Sequence, residues 1–371
     1  MKIAEVISDT NVGGAGILLL NRLECTDLEK YQTYVLVPEN SKLIERFEKI
    51  GVNVIQVDCE GDNSWSWKDV KKYKKILEAV SPDVINCHGC LSARVASKEI
   101  GVPVKICTRH CVFPVKLKDR IWGSVNDRLS DAFVAVAYAA KRNLIDMGIR
   151  EEKIHVVING AKPLELISPR EREELRAKLG IRKNTLVLVM CARLERYKGH
   201  KCFLRAIRLL VEEGFDCFGL LVGEGSEREA LEKYSSELGI SDRIRFVGFV
   251  CDVSPYVNIA DVNVNCSVGT ETSSLALSEG MSIGLPAVVS DYGGNPYMVK
   301  NMENGLVFSA NDPEALARCI KKISSDKKLY SQMSKSARLR FETELNSKSM
   351  TDKTLALYDR LLEIYSAKNQ S

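Results

Sequence analysis

The sequence lacks any long apolar run. No stretch approaches the ~18 consecutive apolar residues of a membrane-spanning helix, so no transmembrane segment is predicted. Its first residues carry one lysine and an alternating apolar run that soon reaches Asp9, without a small-residue cleavage site, which indicates no secretory signal. We therefore expect a cytoplasmic protein, and a peripheral position on the inner face of the membrane is kept as an alternative.

A strong charge of either sign and a cysteine framework are also missing. The net charge of +4 is too small to indicate nucleic acid, although it leaves room for an anionic ligand. Twelve cysteines are spread without disulfide-framework spacing, which indicates free thiols in a reducing compartment. Cys87, Cys90, Cys107 and Cys111 approach zinc-ligand spacing, but they end predicted strands, where cysteines are usually buried hydrophobes. We expect no metal; a zinc or thiol redox site is the alternative.

Short apolar runs alternate with helical patterns along the whole chain, which predicts an α/β fold with parallel sheets. The length of 371 residues exceeds what one core usually supports, so two domains are expected. The alternation pauses at the turn-rich segment Asn159–Pro163 and then starts again. The boundaries predicted from this are residues 1–163 and 164–349, each a Rossmann-like, doubly wound domain. A last helix, about residues 350–371, carries Leu355, Tyr358, Leu362 and Tyr365 on one face.

A glycine cluster follows the first predicted strand. Gly13, Gly14 and Gly16 precede a helix, where glycine lets the backbone approach a ligand and the helix N-terminus favours an anion. The spacing is not that of a dinucleotide-binding fingerprint, and a plain tight turn is the alternative.

Two cationic residues follow the first strand predicted for the second domain. Arg193 and Lys198 lie after the strand Thr185–Cys191, at its carboxyl end. Guanidinium and ammonium groups suit a diphosphate and stabilise charge on a departing nucleoside diphosphate. The alternative is a solvated loop.

Two glutamates flank a short polar segment in the second half. Eight helical positions turn the chain about 800°, so Glu271 and Glu279 are predicted to look toward the same side of one helix. Thr272, Ser273 and Ser274 are predicted to present their amides at the helix start, where a phosphate fits.

Together these segments resemble family 4 glycosyltransferases of the GT-B fold, over nearly the whole chain. The resemblance is carried by the Glu-x7-Glu element from Glu271 to Glu279 and by an ordered series of flanking motifs. These are Cys191–Leu194, Lys198–His200, Val222–Gly225, Phe246–Phe249, Gly284–Pro286, Asp291–Pro296 and Asn304–Val307. In the first half, His88 fits the family pattern, and Asn86 stands where many relatives have histidine.

The resemblance implies roles for particular residues. Arg193 and Lys198 are implied to bind the diphosphate, Glu279 the ribose hydroxyls and Glu271 the donor sugar. A further set is implied to lie near the donor: the glycines of Gly13–Gly16 near the diphosphate and sugar, Gly223 and Val250 near the base, and His110 at the sugar close to the reacting centre.

The implied protein is a retaining hexosyltransferase with two domains facing a central cleft and a C-terminal helix crossing back to the first domain. It would move a sugar from a UDP- or GDP-sugar to a hydroxyl of a glycan or lipid-linked acceptor, without metal or cofactor, in polysaccharide or glycoconjugate biosynthesis. The alternatives are a non-catalytic nucleotide-sugar binder and another GT-B enzyme, such as a nucleotide-sugar epimerase or a phosphorylase.

Two segments of the first half could contact a membrane. The lysine-rich stretch Lys68–Lys75 follows Trp65 and Trp67, but Val70, Tyr73, Leu77 and Val80 form a core-facing stripe that leaves its lysines solvated. The segment Val112–Trp122 mixes aromatic and aliphatic residues with basic ones, and it is predicted to shape an acceptor site or touch the membrane surface.

Overall fold

A computed structural model describes residues 1–10, 13–59 and 65–370 of the chain. The chain divides into two compact units. The first comprises Met1–Ala161 with Ser347–Ser371, and the second comprises Lys162–Asn346. Among the described residues, no helix combines the length and the apolarity that crossing a bilayer requires.

The first unit is built on a seven-stranded parallel sheet flanked by helices. Its strands are β1 (Lys2–Ile7), β2 (Gln32–Pro38), β3 (Asn53–Val57), β4 (Val84–His88), β5 (Val104–Arg109), β6 (Ala132–Ala135) and β7 (Ile154–Val156). Its helices are α1 (Gly14–Leu23), α2 (Ile44–Ile50), α3 (Trp67–Val80), α4 (Leu91–Glu99), α5 (Leu117–Leu129) and α6 (Tyr138–Asp146). The strand order is β3-β2-β1-β4-β5-β6-β7.

Helices cover both faces of this sheet, which explains why its strands are apolar on both sides. On one face the helix α3 buries Val70, Tyr73, Leu77 and Val80, which confirms the predicted core-facing stripe. On the other face α1 and α2 cover β1 and β2 with a separate apolar cluster that includes Phe47.

The second unit repeats this plan with six parallel strands. The strands are β8 (Leu186–Cys191), β9 (Cys217–Val222), β10 (Ile244–Gly248), β11 (Val262–Asn265), β12 (Ala287–Ser290) and β13 (Gly305–Phe308), in the order β10-β9-β8-β11-β12-β13. The helices are α7 (Pro169–Lys178), α8 (His200–Glu212), α9 (Arg228–Glu237), α10 (Ser254–Asn258), α11 (Leu275–Ser282), α12 (Asn295–Met298), α13 (Pro313–Ser325) and α14 (Lys327–Arg340), the last followed by a π-helical turn at Phe341–Leu345. Asp312 caps α13 ahead of Pro313, accepting a hydrogen bond from the Ala315 amide at 2.8 Å.

The last helix, α15 (Ser347–Gln370), belongs to the first unit and packs on α1. It begins three residues before the predicted start at residue 350. Leu355 and Tyr358 are buried as the pattern predicts, but Tyr365 is 39% exposed. The final turns of α15 are exposed, so the predicted stripe is wrong at its C-terminal end.

Both sheets reverse their strand order once, between β1 and β4 in the first unit and between β8 and β11 in the second. Connections leave such a pair of strands toward opposite faces, and this opens a crevice at their carboxyl ends where doubly wound sheets bind ligands. The predicted site residues fall largely in the loops that follow these strands.

Candidate functional site

Arg193 and Lys198 lie in the loop after β8, on one side of the strand reversal in the second unit. Arg193 is exposed, and its guanidinium donates to the Tyr197 hydroxyl at 2.5 Å. Lys198 ends a short 3-10 helix, Arg196–Lys198, and only 16% of its side chain is exposed. The loop therefore presents one exposed cation and one largely buried cation, with Tyr197 near both.

Glu271, in the loop after β11, forms an ion pair with Lys198 across the reversal. Lys198 Nζ lies 2.8 Å from Glu271 Oε2, and the same oxygen accepts from Ser267 Oγ at 2.8 Å and Asn265 Nδ2 at 3.2 Å. Burial alone would raise the pKa of this carboxyl, but Lys198, together with the Ser267 and Asn265 hydrogen bonds, more than offsets burial and lowers it. Glu271 is therefore a carboxylate held in place through one oxygen.

Close backbone contacts fix the loops that carry this pair. Gly199 has φ +75°, and a side-chain carbon there would lie 2.0 Å from the Cys266 carbonyl oxygen. Gly294 sits against the backbone of Thr272, where a Cβ would lie 1.5 Å from the carbonyl oxygen. Only glycine permits these approaches, so the loops after β8, β11 and β12 meet in one place.

The structure corrects the prediction that Glu271 and Glu279 share one helix. The helix α11 begins at Leu275, and Ser274 caps it by accepting from the Leu277 amide at 3.4 Å. Glu271 therefore lies before the helix, because Ser274 takes the extended backbone of an N-cap residue. Thr272 and Ser273, predicted to offer helix-start amides, are buried and precede the helix as well.

Glu279 lies on α11 itself, in the neighbourhood of Cys191 and Asp252. Burial, with a smaller contribution from the Asp252 charge, raises the pKa of Glu279 to about 7. The two glutamates thus differ: Glu271 is held ionised by a cation, whereas Glu279 titrates near neutrality.

Gly223, predicted to lie near a base, follows β9 and donates its amide to the Gly248 carbonyl at 2.9 Å. It has φ +142°, and a Cβ there would lie 2.1 Å from the Ala192 carbonyl oxygen. Val250 follows β10, and its partly buried side chain packs against an apolar cluster of the second unit. Both residues therefore lie at the carboxyl edge of the sheet that also carries the ion pair; their contact with a base stays a prediction.

In the first unit, the glycine cluster lies at the N-terminus of α1, directly after β1. Gly13 is the N-cap residue, and no side chain caps the helix. A Cβ at Gly14 would meet nothing within 4 Å, whereas one at Gly16 would lie 2.4 Å from Leu43 Cδ1. Gly14 therefore leaves open space at the helix start, and the structure gives Gly16 a packing contact inside the core.

His110, just after β5, joins a buried polar chain that the sequence did not predict. His110 Nε2 lies 2.7 Å from His88 Nδ1, and His88 Nε2 lies 3.0 Å from Glu5 Oε2. Burial, followed by His88 and Arg109, lowers the pKa of His110 well below its ordinary value, so its imidazole is neutral near neutral pH. The signal in the sequence was Glu5, a charge in the middle of an apolar strand.

The cysteines of the zinc alternative do not cluster as ligands. Cys87 and Cys90 pack in the apolar cluster under α3, Cys107 belongs to a different cluster, and Cys111 is exposed. Across the described ranges, no three His, Cys, Asp or Glu side chains are grouped as a metal ion would need.

Comparison with known families decides what kind of protein this is. Residues 12–163 match the family described as Glycosyltransferase Family 4, and residues 171–340 match the family described as Glycosyl transferases group 1. The chain belongs to the family 4 glycosyltransferases.

Relatives and solved structures agree with this assignment. The glycosyltransferase is 26% identical over 377 residues to the UDP-Gal:alpha-D-GlcNAc-diphosphoundecaprenol alpha-1,3-galactosyltransferase of Escherichia coli, covering 96% of each chain. It superposes on Anabaena Alr3699/HepE, solved in complex with UDP, with a TM-score of 0.86, 19% identity and coverage of 97% and 100%. A glycosyltransferase of Rickettsia africae ESF-5 gives the same TM-score and identity, with coverage of 97% and 98%. The predicted fold class, GT-B with Rossmann-like domains, is confirmed.

Proposed function

We propose that this glycosyltransferase moves a hexose from a nucleotide-diphosphate sugar to a hydroxyl of a lipid-linked glycan, with retention of anomeric configuration. The observation that carries the proposal is the arrangement at the β8–β11 reversal, where Arg193 and the Lys198–Glu271 pair lie in adjacent loops. A diphosphate needs cations that persist at all relevant pH values, and a departing nucleoside diphosphate gains charge that such cations stabilise.

The lowered pKa of Glu271 bears on the mechanism. A carboxylate that already accepts from Lys198, Ser267 and Asn265 is a weak base, so it is poorly suited to remove the acceptor's proton. We therefore assign Glu271 to the hydroxyls of the donor sugar. The departing phosphate oxygen, close to the new bond, would itself take the proton as the acceptor oxygen attacks, which keeps both events on one face of the sugar.

Two comparisons favour a uridine nucleotide and a lipid-linked acceptor. The Escherichia coli relative is named for UDP-galactose and a diphosphoundecaprenol acceptor, and Alr3699/HepE was solved with UDP-glucose. We infer the same class of donor and acceptor here, within the assembly of a cell-surface polysaccharide or glycoconjugate, and no metal ion or cofactor for the transfer.

The test is product analysis with a panel of UDP- and GDP-sugars and an undecaprenyl-diphosphate-linked monosaccharide. We expect a new α-glycoside from an α-linked donor, identified by the anomeric coupling in its proton NMR spectrum. A free epimerised nucleotide sugar would instead indicate an epimerase, and binding without turnover of any donor would indicate a non-catalytic protein.

The pKa of Glu279 predicts how donor binding depends on pH. A carboxylate can accept hydrogen bonds from both ribose hydroxyls, whereas a protonated carboxyl group is a weaker acceptor. With a pKa of about 7, its ionised fraction falls about tenfold from pH 8 to pH 6. We expect the Kd of a UDP-sugar, measured by calorimetry, to rise about tenfold over that range.

Two controls isolate this effect. A nucleotide sugar is suitable because its diphosphate is esterified at both ends and carries no monoester group that titrates near pH 6. The Glu279→Gln variant should bind the UDP-sugar more weakly than wild type at pH 8, and its Kd should not change between pH 8 and pH 6. A pH-independent wild-type Kd would remove Glu279 from the ribose site.

The proposed acceptor fits a membrane-facing surface on α5. Four large apolar residues lie on one side of this helix and are exposed to solvent. Their exposed fractions are 78% for Leu117, 68% for Ile121, 57% for Trp122 and 43% for Val125. Gly123 is buried, and a Cβ there would lie 1.6 Å from the Met147 carbonyl oxygen. The helix therefore packs closely through one side and leaves its apolar side outward.

Basic residues stand beside these apolar ones. Lys116 and Arg120 are exposed, and Phe113, half exposed, lies just before the helix. An apolar face with cations at its edge matches the boundary of an anionic bilayer. We therefore propose that the enzyme binds anionic membranes through α5.

Replacing Leu117, Ile121 and Trp122 by serine should lower partitioning of the protein into phosphatidylglycerol vesicles at least tenfold. The reason is that each large apolar side chain contributes about 1.5–3 kcal/mol when it is fully buried in lipid. Vesicle co-sedimentation measures this. Trp67→Ser is the matched control, since Trp67 is also exposed (65%) but precedes the lysine-rich stretch. Equal loss in the control, or none in the triple variant, would move the membrane surface away from α5.

A further inference from the structure

A buried chain of hydrogen bonds links Glu5 on β1 to His88 at the end of β4 and to His110 after β5. The two imidazole rings have centroids 5.0 Å apart and planes inclined by 19°, and their facing nitrogens are 2.7 Å apart. The bond thus lies close to the plane of both rings, where a nitrogen lone pair points. Such a bond has a direction, because one nitrogen must donate and the other accept.

Glu5 sets that direction from its end of the chain. Its Oε1 forms an ion pair with Arg22 Nη2 at 2.5 Å and accepts from the Tyr358 hydroxyl at 3.1 Å. Its Oε2 accepts from Asn86 Nδ2 at 3.1 Å and lies 3.0 Å from His88 Nε2. Burial raises the pKa of Glu5, but Arg22 and His88 more than offset this and lower it, so it is ionised. An ionised carboxylate only accepts, so the proton of this bond is on His88 Nε2.

The orientation of the Asn86 amide agrees with this assignment. Its Oδ1 accepts from Thr108 Oγ1 at 2.9 Å, which places Nδ2 toward Glu5. His88 Nε2 and Asn86 Nδ2 are 3.4 Å apart, and both donate to the same carboxylate oxygen. Neither has to accept from the other.

The charge of Glu5 is matched by Arg22, so His88 need not carry a second positive charge in a site where only 5% of its side chain is exposed. A neutral His88 with its proton on Nε2 has a lone pair on Nδ1. His110 must then donate from Nε2, and its own lone pair is left on Nδ1.

We propose that Glu5 and His88 are positioning residues that hold His110 in the Nε2–H tautomer, so that its Nδ1 acts only as a hydrogen-bond acceptor. His110 would then recognise a substrate hydroxyl by accepting its proton in a hydrogen bond, and it would not act as a proton donor. This inference rests on the proposed function for its substrate, a sugar, but the tautomer itself does not depend on it. Tyr358 extends the chain to α15, so the C-terminal helix helps to hold Glu5.

The tautomer can be observed directly. The sequence has only four histidines, so the 371-residue chain labelled with ¹⁵N-histidine gives four imidazole patterns of two nitrogens each, and long-range ¹H–¹⁵N correlation distinguishes the tautomers. We expect His110 to carry its proton on Nε2 at pH 7, and His88 to carry a proton on the Nε2 that faces Glu5. His110 with its proton on Nδ1 would overturn the proposal, and this wild-type measurement needs no variant.

Substitution of His88 tests the cause. His88→Phe removes the acceptor while keeping a flat ring, so we expect mixed tautomers at His110 and a fall in kcat of about 10- to 100-fold, the range for lost orienting partners. The Kd for the nucleotide sugar should change much less, because the diphosphate and ribose contacts are assigned to other residues. His155→Gln is the matched control, since His155 lies on β7, contacts Arg360 and takes no part in the hydrogen bonds that link Glu5, His88 and His110.

The outcomes separate the two proposals. If His110 keeps a single Nε2–H tautomer in His88→Phe, then His88 does not set it and the inference fails. If the tautomer behaves as expected but no nucleotide sugar supports transfer, the proposed function fails while the positioning role of His88 stands.

Discussion

The Arg193→Ala variant should lose about 10²- to 10³-fold in kcat, equivalent to about 3–4 kcal/mol of transition-state stabilisation. Arg193 is exposed, and within the described part of the chain its guanidinium contacts Tyr197, through the hydroxyl at 2.5 Å and through the ring face. The positive charge is thus available to a ligand. Because charge on the diphosphate grows as the sugar bond breaks, the loss should fall on kcat more than on KM.

The same exposure makes the result easy to interpret, since removing an exposed side chain should change the melting temperature little. Lys183→Ala is the matched control: its side chain is 83% exposed and it precedes β8, at the opposite end of the strand from the loop. Arg193→Lys should be more active than Arg193→Ala but less active than wild type, because lysine keeps the positive charge and loses the bidentate hydrogen bonding of the guanidinium. Activity within threefold of wild type in Arg193→Ala would exclude Arg193 from the diphosphate site.

Most of the fold could be predicted from the sequence because period and strand length are local signals. The runs around Ile3–Ile7 and Phe218–Val222 are buried on both faces, so they stand out as apolar, and both are strands in the structure. Short elements give weaker local signals. The strands β7 and β13 have only three and four residues, and α2 has one fully buried side chain, Phe47, so none has a strong periodic pattern.

The site could be predicted only in part, because its decisive relations are tertiary. The cations after β8 and the glutamates after β11 could be selected individually, yet the pairing of Lys198 with Glu271 joins residues 73 positions apart. The position of Glu271 was misjudged because a helix was extended backward over Ser274, a residue type that more often begins helices than continues them. The hydrogen bonds that lead from His110 through His88 to Glu5 and Tyr358 cannot be inferred from spacing, since Glu5 and Tyr358 lie near opposite ends of the sequence.

The Lys198–Glu271 pair should be the most sensitive electrostatic contact of the second unit. In Lys198→Met the carboxylate of Glu271, 7% exposed, loses its counter-charge and keeps only Ser267 and Asn265. Breaking a buried pair by removing one partner costs about 3 kcal/mol or more. For a unit of this size that corresponds to a fall in Tm on the order of 6–12 °C. Turnover should also be lost, since Lys198 is assigned to the diphosphate.

Lys300→Met is the matched control for that measurement. Lys300 and Glu303 are 3.8 Å apart in the same unit, but both side chains are more than half exposed, so this pair should contribute less than about 1 kcal/mol. Calorimetric scans of both variants against wild type give the comparison. Equal and small shifts in the two variants would mean that Lys198 does not stabilise the folded unit through Glu271.

A double-mutant cycle separates the pair from its surroundings. In Lys198→Met combined with Glu271→Gln, the amide oxygen of the new glutamine still accepts from Ser267 and Asn265, and no buried charge is left without a partner. Much of the lost stability should therefore return, with a coupling energy of about 1–3 kcal/mol. Additive losses would show that the two side chains act independently.

The pH dependence of the pair has a definite sign. The pKa of Glu271 is lower in the folded protein than its ordinary value of 4.5, so the folded state binds this proton less readily than the unfolded chain. The stabilisation is complete above about pH 4.5 and is lost as the pH falls through the folded-state pKa. Wild type should therefore exceed Glu271→Gln in stability at pH 7, and the difference should shrink below pH 4.5. A gap that widens in acid would contradict an ionised Glu271 and, with it, the weak-base argument that assigns the acceptor's proton to the leaving phosphate.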